Sequence, residues 1–292
     1  MTSFEELFNQ QPKNSLDDRQ ISYLQDHLTN YAGFPNVTQC RKLLDAVWDD
    51  LGCNSTINDE KIHSFYSHPV WLLNGLMHEN LESSKIIKAL YCEYIASFMP
   101  LRFADVGGGL GMLSMKVATK LPSTNVECIE PFPTKLALER AKLIPNLSFK
   151  DSLSGDYDFL CATDVFEHVF DPIALLAKLS ENLKVDGIFL IANCFYPVIK
   201  CHLPQNYHLR FSWHQIMVSF GYKKLSKVGY GVSYVKISPI LNISKSYKLA
   251  KFSHSLYSVI YKDLNFSESN KYINKACMIV FRMFAPIYLL FF

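Results

Sequence analysis

The sequence predicts an α/β fold: a mostly parallel sheet with helices on both faces, preceded by a helical cap. Three observations carry this prediction. From residue 101 onward, short apolar runs alternate with amphipathic ones, while residues 1–99 carry helical periodicity alone. The glycine and acid clusters in the middle of the chain all fall at the carboxyl ends of the apolar runs, where open parallel sheets hold their ligands.

The elements follow in order. In the cap (1–99), Ser15 and Asp18 fit a capping box opening a helix through His27, and Ser83 or Ser84 fits the cap of a helix running to Phe98. Within that second helix, Ile86, Ile87, Leu90, Tyr94 and Ile95 recur at helical spacing, and Pro35 and Pro69 punctuate the region. The sheet domain (100–239) then reads as strand LRFADV, a helix near 111–120, strand NVECIE, a helix near 133–143, strands NLSFKD and DYDFLCATD, a helix near 172–183, and strand GIFLIANC. Residues 222–238 alternate apolar and polar around Gly229 and Gly231, as a closing antiparallel hairpin does, which brings the sheet to seven strands.

A basic, apolar extension (240–292) follows, with seven Lys or Arg against Asp263 and Glu268 and a final run ACMIVFRMFAPIYLLFF. Two readings stand for it: extra helices packed on the core, or a peripheral contact of 276–292 with an anionic membrane surface. A spanning helix is not expected, because the run is about 17 residues long and interrupted by Arg282 and Pro286, short of the roughly 20 needed.

Composition narrows the function classes. Of the 292 residues, 29 are Lys or Arg and 27 are Asp or Glu, a net charge of +2 that argues against nucleic acid as the main partner. The eight cysteines are scattered, with no C-x-x-C pair and no histidines at zinc-ligand spacing, and the N-terminus is acidic and polar. A cytoplasmic protein with free thiols is the expectation.

The chemistry concentrates in FADVGGGLG. Gly107 and Gly109 fit a dinucleotide fingerprint, but the third small residue is replaced by Met112, whereas the spacing that holds is Asp105 followed by Gly107, Gly109 and Gly111. This pattern resembles motif I of the class I S-adenosylmethionine-dependent methyltransferases. Glu130 ends the next strand about 20 residues beyond the loop, where an acid accepts hydrogen bonds from a ribose diol. The most specific stretch, DYDFLCATDVFEHVFDP, resembles the fourth-strand signature of the small-molecule branch of that family, which includes the ubiquinone-biosynthesis O-methyltransferases. NYHLRFSWHQIMVSFGYKKL matches a further pattern of the branch through His208, Phe211, Ser212, Gly221 and Tyr222.

The resemblance implies a Rossmann-like fold, S-adenosylmethionine as cofactor and methyl transfer to a small molecule, most readily at a hydroxyl oxygen of a sugar or glycolipid, a quinone-like phenol or a secondary metabolite. It implies cofactor contacts at Asp105, Gly107, Gly109, Gly111 and Glu130, with Asp151 near the adenine and Asp164 facing either the methionine moiety or the substrate cleft. Glu167 and His168 would begin the next helix. His208 is read as a base toward a substrate hydroxyl or as a loop anchor, and His168 as catalytic or as a hydrogen-bonded residue shaping the pocket; His202 and His214 have weaker claims. Residues 1–99 and Tyr207, Phe211 and Trp213 would close the site to water. No metal site is assigned, since Asp164, Glu167 and His168 offer fewer ligands than an oxygen-rich cation site needs. A nicotinamide-dependent oxidoreductase and a non-catalytic, membrane-associated scaffold remain as alternatives.

Overall fold

The computed structural model describes residues 11–12, 14–54, 56, 59–239, 242–263 and 270–291. Five helices come first: α1 (Asp18–Asn30), α2 (Val37–Asp50), α3 (Asp59–Tyr66), α4 (Pro69–Asn80) and α5 (Glu82–Ala96). The capping box of α1 is Asp17 with Gln20, each side chain bonding the other's backbone N–H, in place of the expected Ser15 and Asp18. Asn36 and Gln39 repeat the device on α2. α5 starts from Leu81 with no side-chain cap, so neither Ser83 nor Ser84 plays the capping role.

The sheet is built from β1 (Arg102–Val106), β2 (Asn125–Ile129), β3 (Leu147–Lys150), β4 (Tyr157–Thr163), β5 (Leu183–Ala192), β6 (Tyr222–Val228) and β7 (Gly231–Lys236). Its order is β3-β2-β1-β4-β5-β7-β6, parallel except where β7 runs antiparallel between β5 and β6. The expected seven strands and closing hairpin are therefore present. Between them lie α6 (Met112–Lys120), α7 (Lys135–Ala141), α8 (Pro172–Glu181) and α9 (Leu209–Ser219).

Period-two alternation makes this a three-layer molecule. Phe103, Phe159, Ile188 and Leu190 face one layer, packing with Tyr91, Cys92 and Ile95 of α5 and Leu113 and Val117 of α6. Ala104, Val106, Leu160, Phe189 and Ile191 face the other, against α8, α9 and the C-terminal helices. Phe103, Phe159 and Phe189 are fully buried, each contributing on the order of 1.5–3 kcal/mol through area removed from water.

The cap covers the carboxyl edge of the sheet in two patches. Leu72, Leu73 and Leu76 of α4 pack with Leu24 and Leu28 of α1, with Leu110 of the glycine loop and with Leu136 of α7. Leu44 and Trp48 of α2, Phe65 of α3 and Val70 of α4 pack with Cys201 and Leu203, in the segment that follows β5.

The C-terminal residues form α10 (Ile243–Tyr257), a π-helical turn (Ser258–Asp263) and α11 (Lys271–Phe291), and Cys277, Phe281 and Ala285 of α11 are buried in the core. Glu268, counted above against the basic residues, lies outside the described residues. The terminal helix extends back to Lys271, so Lys271–Leu290 is long and apolar enough to cross a membrane by length and composition alone, while Cys277, Phe281 and Ala285 are packed in the core. The amphipathic pattern of Tyr272, Ile273, Asn274 and Lys275 merges into the apolar run, so the run alone underestimates the helix.

Candidate active site

β1 ends in a loop where Gly107, Gly109 and Gly111 have φ of +67°, +58° and +77°, the left-handed region that glycine enters without steric cost. A Cβ on Gly109 would point into open space, and its backbone N–H donates to Glu130 Oε2 at 2.9 Å. Gly108, which the sequence reading passed over, is small because Asp105 and Cys128 lie directly under it.

Asp105 is buried beneath this loop and accepts from Ser114 Oγ at 2.8 Å, and burial raises its carboxyl above the usual range. It shapes the loop from below. Glu130, just past β2, also accepts from Phe132 N–H at 3.1 Å; burial pushes its carboxyl up and the two N–H bonds hold it down. Asp151, past β3, is exposed, and its recorded side-chain bond is with its neighbour Ser152. It is not drawn into the Glu130 cluster.

At the end of β4, Asp164 holds a left-handed φ of +55°, which a short polar residue tolerates and which marks strained functional turns. Its carboxylate accepts from Tyr230 Oη in the β6–β7 turn at 2.8 Å. Next to it, Lys88 of α5 donates to Thr163 Oγ1 at 3.0 Å. Neither Lys88 nor Tyr230 was legible as a site residue, because nothing in their local patterns separates them from a helix-surface lysine and a turn tyrosine.

Glu167 and His168 belong to a single 3₁₀ turn (Phe166–His168) that ends before α8, which has its own N-cap, Asp171. They therefore do not open the next helix as expected. The turn is clamped from the segment after β5. Asn206 Nδ2 donates to the carbonyls of Phe166, Glu167 and Val169, and Leu203 N–H to that of Glu167. Glu167 is fully buried; Oε1 accepts from Cys194 N–H at 2.8 Å, while Oε2 has no partner. Burial and the nearby Asp164 raise its carboxyl to about 8.

His168 and His202 meet edge to face, with ring centroids 4.7 Å apart. Nδ1 of His168 bonds the Cys201 carbonyl at 3.2 Å and Nδ1 of His202 that of Tyr196 at 2.9 Å. Burial first, then His202, lowers His168 to about 3, so it stays neutral at physiological pH. An aromatic wall of Tyr66, Trp71 and Phe132 connects Glu130 to this pair: Tyr66 stacks on Phe132 and Trp71, and both Tyr66 and Trp71 meet the His168 ring.

His208 packs under α10. It is buried at the start of α9, with Nδ1 bonded to Ser253 Oγ of α10 at 2.6 Å and its ring against His254, and burial lowers it to about 3. α10 folds over the ring and makes it an anchor for that helix. Tyr207, Phe211 and Trp213, expected to line the closure, are buried core.

Comparison with known proteins follows from this geometry. Residues 82–226 match the family model described as a methyltransferase domain. The match runs from α5 into β6, through the glycine loop, Glu130 and the Asp164–His168 turn. In trans-aconitate 2-methyltransferase of Deinococcus radiodurans, 91 residues are 30% identical, covering 30% of this chain and 35% of that protein's length. Solved structures to which the chain is similar include PigF with SAH (13% identity, 76% of this chain and 75% of that one, TM-score 0.48). The plantazolicin methyltransferase BpumL in complex with SAH is another (16% identity, 79% and 93%, TM-score 0.40).

The cradle fits S-adenosylmethionine, the cofactor that the sequence resemblance implies. The open space above Gly109 admits a ligand against bare backbone, and Glu130 retains lone pairs for a ribose diol beyond the two N–H bonds it accepts.

Proposed function

We propose that the chain transfers a methyl group from S-adenosylmethionine to a hydroxyl oxygen of a small molecule. The observation that carries this reading is the juxtaposition of two sites at the carboxyl edge of the sheet: the Gly109–Glu130 cradle, and the polar pocket of Asp164, Glu167, His168 and His202, joined by the Tyr66–Trp71–Phe132 wall. When bound, the cofactor supplies a methyl group on a positively charged sulfur. Everything else is positioning, which in a well-aligned displacement contributes on the order of 7–11 kcal/mol of the barrier at best.

Glu130 and the glycine loop hold the cofactor end, and the aromatic wall supports a flat or apolar acceptor face. His168, held neutral, is too weak a base to take a proton, and it orients the hydroxyl as an acceptor. The exposed carboxylate of Asp164 receives the hydroxyl proton as the new bond forms. The cap helices α2–α4 cover the pocket and limit water.

The partner surface belongs to the same reading. Ile279, Met283 and Leu290 of α11 are exposed on the side away from Cys277, Phe281 and Ala285, with Arg282 beside them, Phe284 half-exposed at the edge of the buried stripe, and Lys245, Lys248 and Lys251 on the adjacent α10. A helix apolar on two faces has one face left to cover, and flanking cations suit an anionic membrane surface. An acceptor with a lipid tail would be delivered there. The eight free cysteines fit the cytoplasmic side of such a membrane.

The experiment is parallel calorimetric titration with S-adenosylmethionine, S-adenosylhomocysteine and NADH, followed by mass spectrometry of hydroxylated acceptors incubated with enzyme and cofactor. Micromolar binding of the first two alone and a gain of one methyl at oxygen support the reading. Binding of NADH alone points to the oxidoreductase, and binding of none to a scaffold.

A further inference from the structure

The pocket behind His168 has an acceptor-only character that the methyl-transfer reading leaves unused. Among the described residues, Glu167, His168 and His202 place one ligand atom each, a carboxylate oxygen and two ring nitrogens, within 4.8 Å of one another. Each histidine bonds a backbone carbonyl through Nδ1, His168 that of Cys201 and His202 that of Tyr196. In His168 such a bond places the ring proton on Nδ1 and leaves Nε2 as a lone pair, the tautomer in which histidines ligate metals; the His202 ring also meets the Cys194 carbonyl, and its Nε2 ligates when the proton stays on Nδ1. Glu167 is fixed by Cys194 N–H on Oε1, and its buried Oε2 has no partner. Three potential ligand atoms thus converge in a buried place, where a carboxylate charge is costly unless a proton or a metal cation offsets it.

We propose that Glu167, His168 and His202 bind one divalent first-row transition cation. Two imidazoles and one carboxylate suit zinc, cobalt, iron or manganese better than magnesium or calcium, which prefer all-oxygen shells. The carbonyls of Cys201 and Tyr196 and the Cys194 N–H orient the ligands, and the three bonds from Asn206 hold the turn that carries two of them. His168 is only partly buried, so the cation has a way in from the cleft. Three protein ligands leave positions open. In the methyl-transfer reading, on which this role but not the site itself rests, an acceptor hydroxyl occupies one of them and its proton is more easily surrendered to Asp164. His168 then acts as a ligand through the ring nitrogen that does not bond the Cys201 carbonyl.

The test uses the untagged full-length chain, stripped with a chelator and titrated with Co²⁺ while visible absorption is recorded, with S-adenosylhomocysteine affinity measured in parallel. The expected result is one equivalent of Co²⁺ bound with nitrogen-ligand d–d bands and displaced by Zn²⁺. His202→Ala and Glu167→Gln each weaken binding at least tenfold, His214→Ala leaves it unchanged, and cofactor-product affinity stays within twofold throughout. His168→Ala serves as an additional ligand variant if Glu167→Gln does not fold. Absence of stoichiometric Co²⁺ binding, with S-adenosylhomocysteine still bound, overturns the metal site and leaves methyl transfer standing, a proton on Glu167 then filling the gap. Binding that survives His202→Ala and His168→Ala also overturns it. Co²⁺ bound with the expected ligand dependence and no S-adenosylhomocysteine binding supports the site while removing the methyl-transfer reading.

Discussion

Acidification should separate a structural His208 from a catalytic one. The ring is buried against Ser253 and faces His254 and Arg210, and its pKa falls to about 3 in the folded chain, against roughly 6.5 when unfolded. The folded state therefore binds fewer protons than the unfolded state through this window. The stability due to the neutral ring is complete above pH 6.5 and is lost as pH falls toward 3. Between pH 7 and 5 the loss is about 2 kcal/mol, from ~1.36 kcal/mol per unit over the ~1.5 units below the unfolded value. His168, also lowered to about 3, adds a similar amount to the wild type. His208→Asn keeps a side chain able to bond Ser253 but cannot titrate. Urea unfolding at pH 7 and pH 5 should show the variant losing about 2 kcal/mol less than the wild type over that interval, with unchanged S-adenosylhomocysteine affinity at pH 7. Equal losses would mean that His208 titrates freely, and the argument that α10 seals it would be refuted.

Three other expectations address the cradle and the membrane face. Glu130→Ala removes the acceptor that orders Gly109 and Phe132 together with the ribose contact; charge-assisted hydrogen bonds are worth roughly 1.5–3 kcal/mol, so calorimetry should show at least a tenfold loss of S-adenosylhomocysteine affinity. Gly109→Ala, at φ +58° with open space above it, should cost about 1–2 kcal/mol in chemical denaturation and weaken cofactor binding further by occupying the cradle; unchanged affinity would place the ligand elsewhere. Met283→Glu with Phe284→Glu should release the protein from anionic liposomes without moving the thermal midpoint, because both side chains are exposed. Deleting 276–292 is a poorer test, since it would strip Phe281 and Ala285 from the core.

The sheet and cradle were legible because their signals are local. Strand alternation at Phe103 to Val106, the glycine spacing and the acid at Glu130 each fit within a few residues of chain, and the structure keeps all of them at one edge. Contacts with distant partners were not legible. Nothing near His208 announces that Ser253 will close over it, and nothing near His202 announces His168. The α1 cap was misassigned by two residues because Ser15, Asp17 and Asp18 all carry capping oxygens and only backbone geometry chooses among them. Asp164 and Glu167 stand out in the sequence, but their neighbourhood includes Lys88 and Tyr230, contributed by a helix before the glycine loop and by the last turn of the sheet.

The packing of Trp48, Phe65 and Val70 against Cys201 and Leu203 also bears on how the molecule is made. The cap leaves the ribosome before the sheet does, and the segment it packs against emerges only after five strands have been synthesised. During that interval its apolar faces have no native partner, and long-separated contacts of this kind form late because loop closure must precede them. The cap is therefore translated ahead of the sheet and is among the last parts to settle, so nascent chains halted before residue 201 should be the ones that chaperones retain.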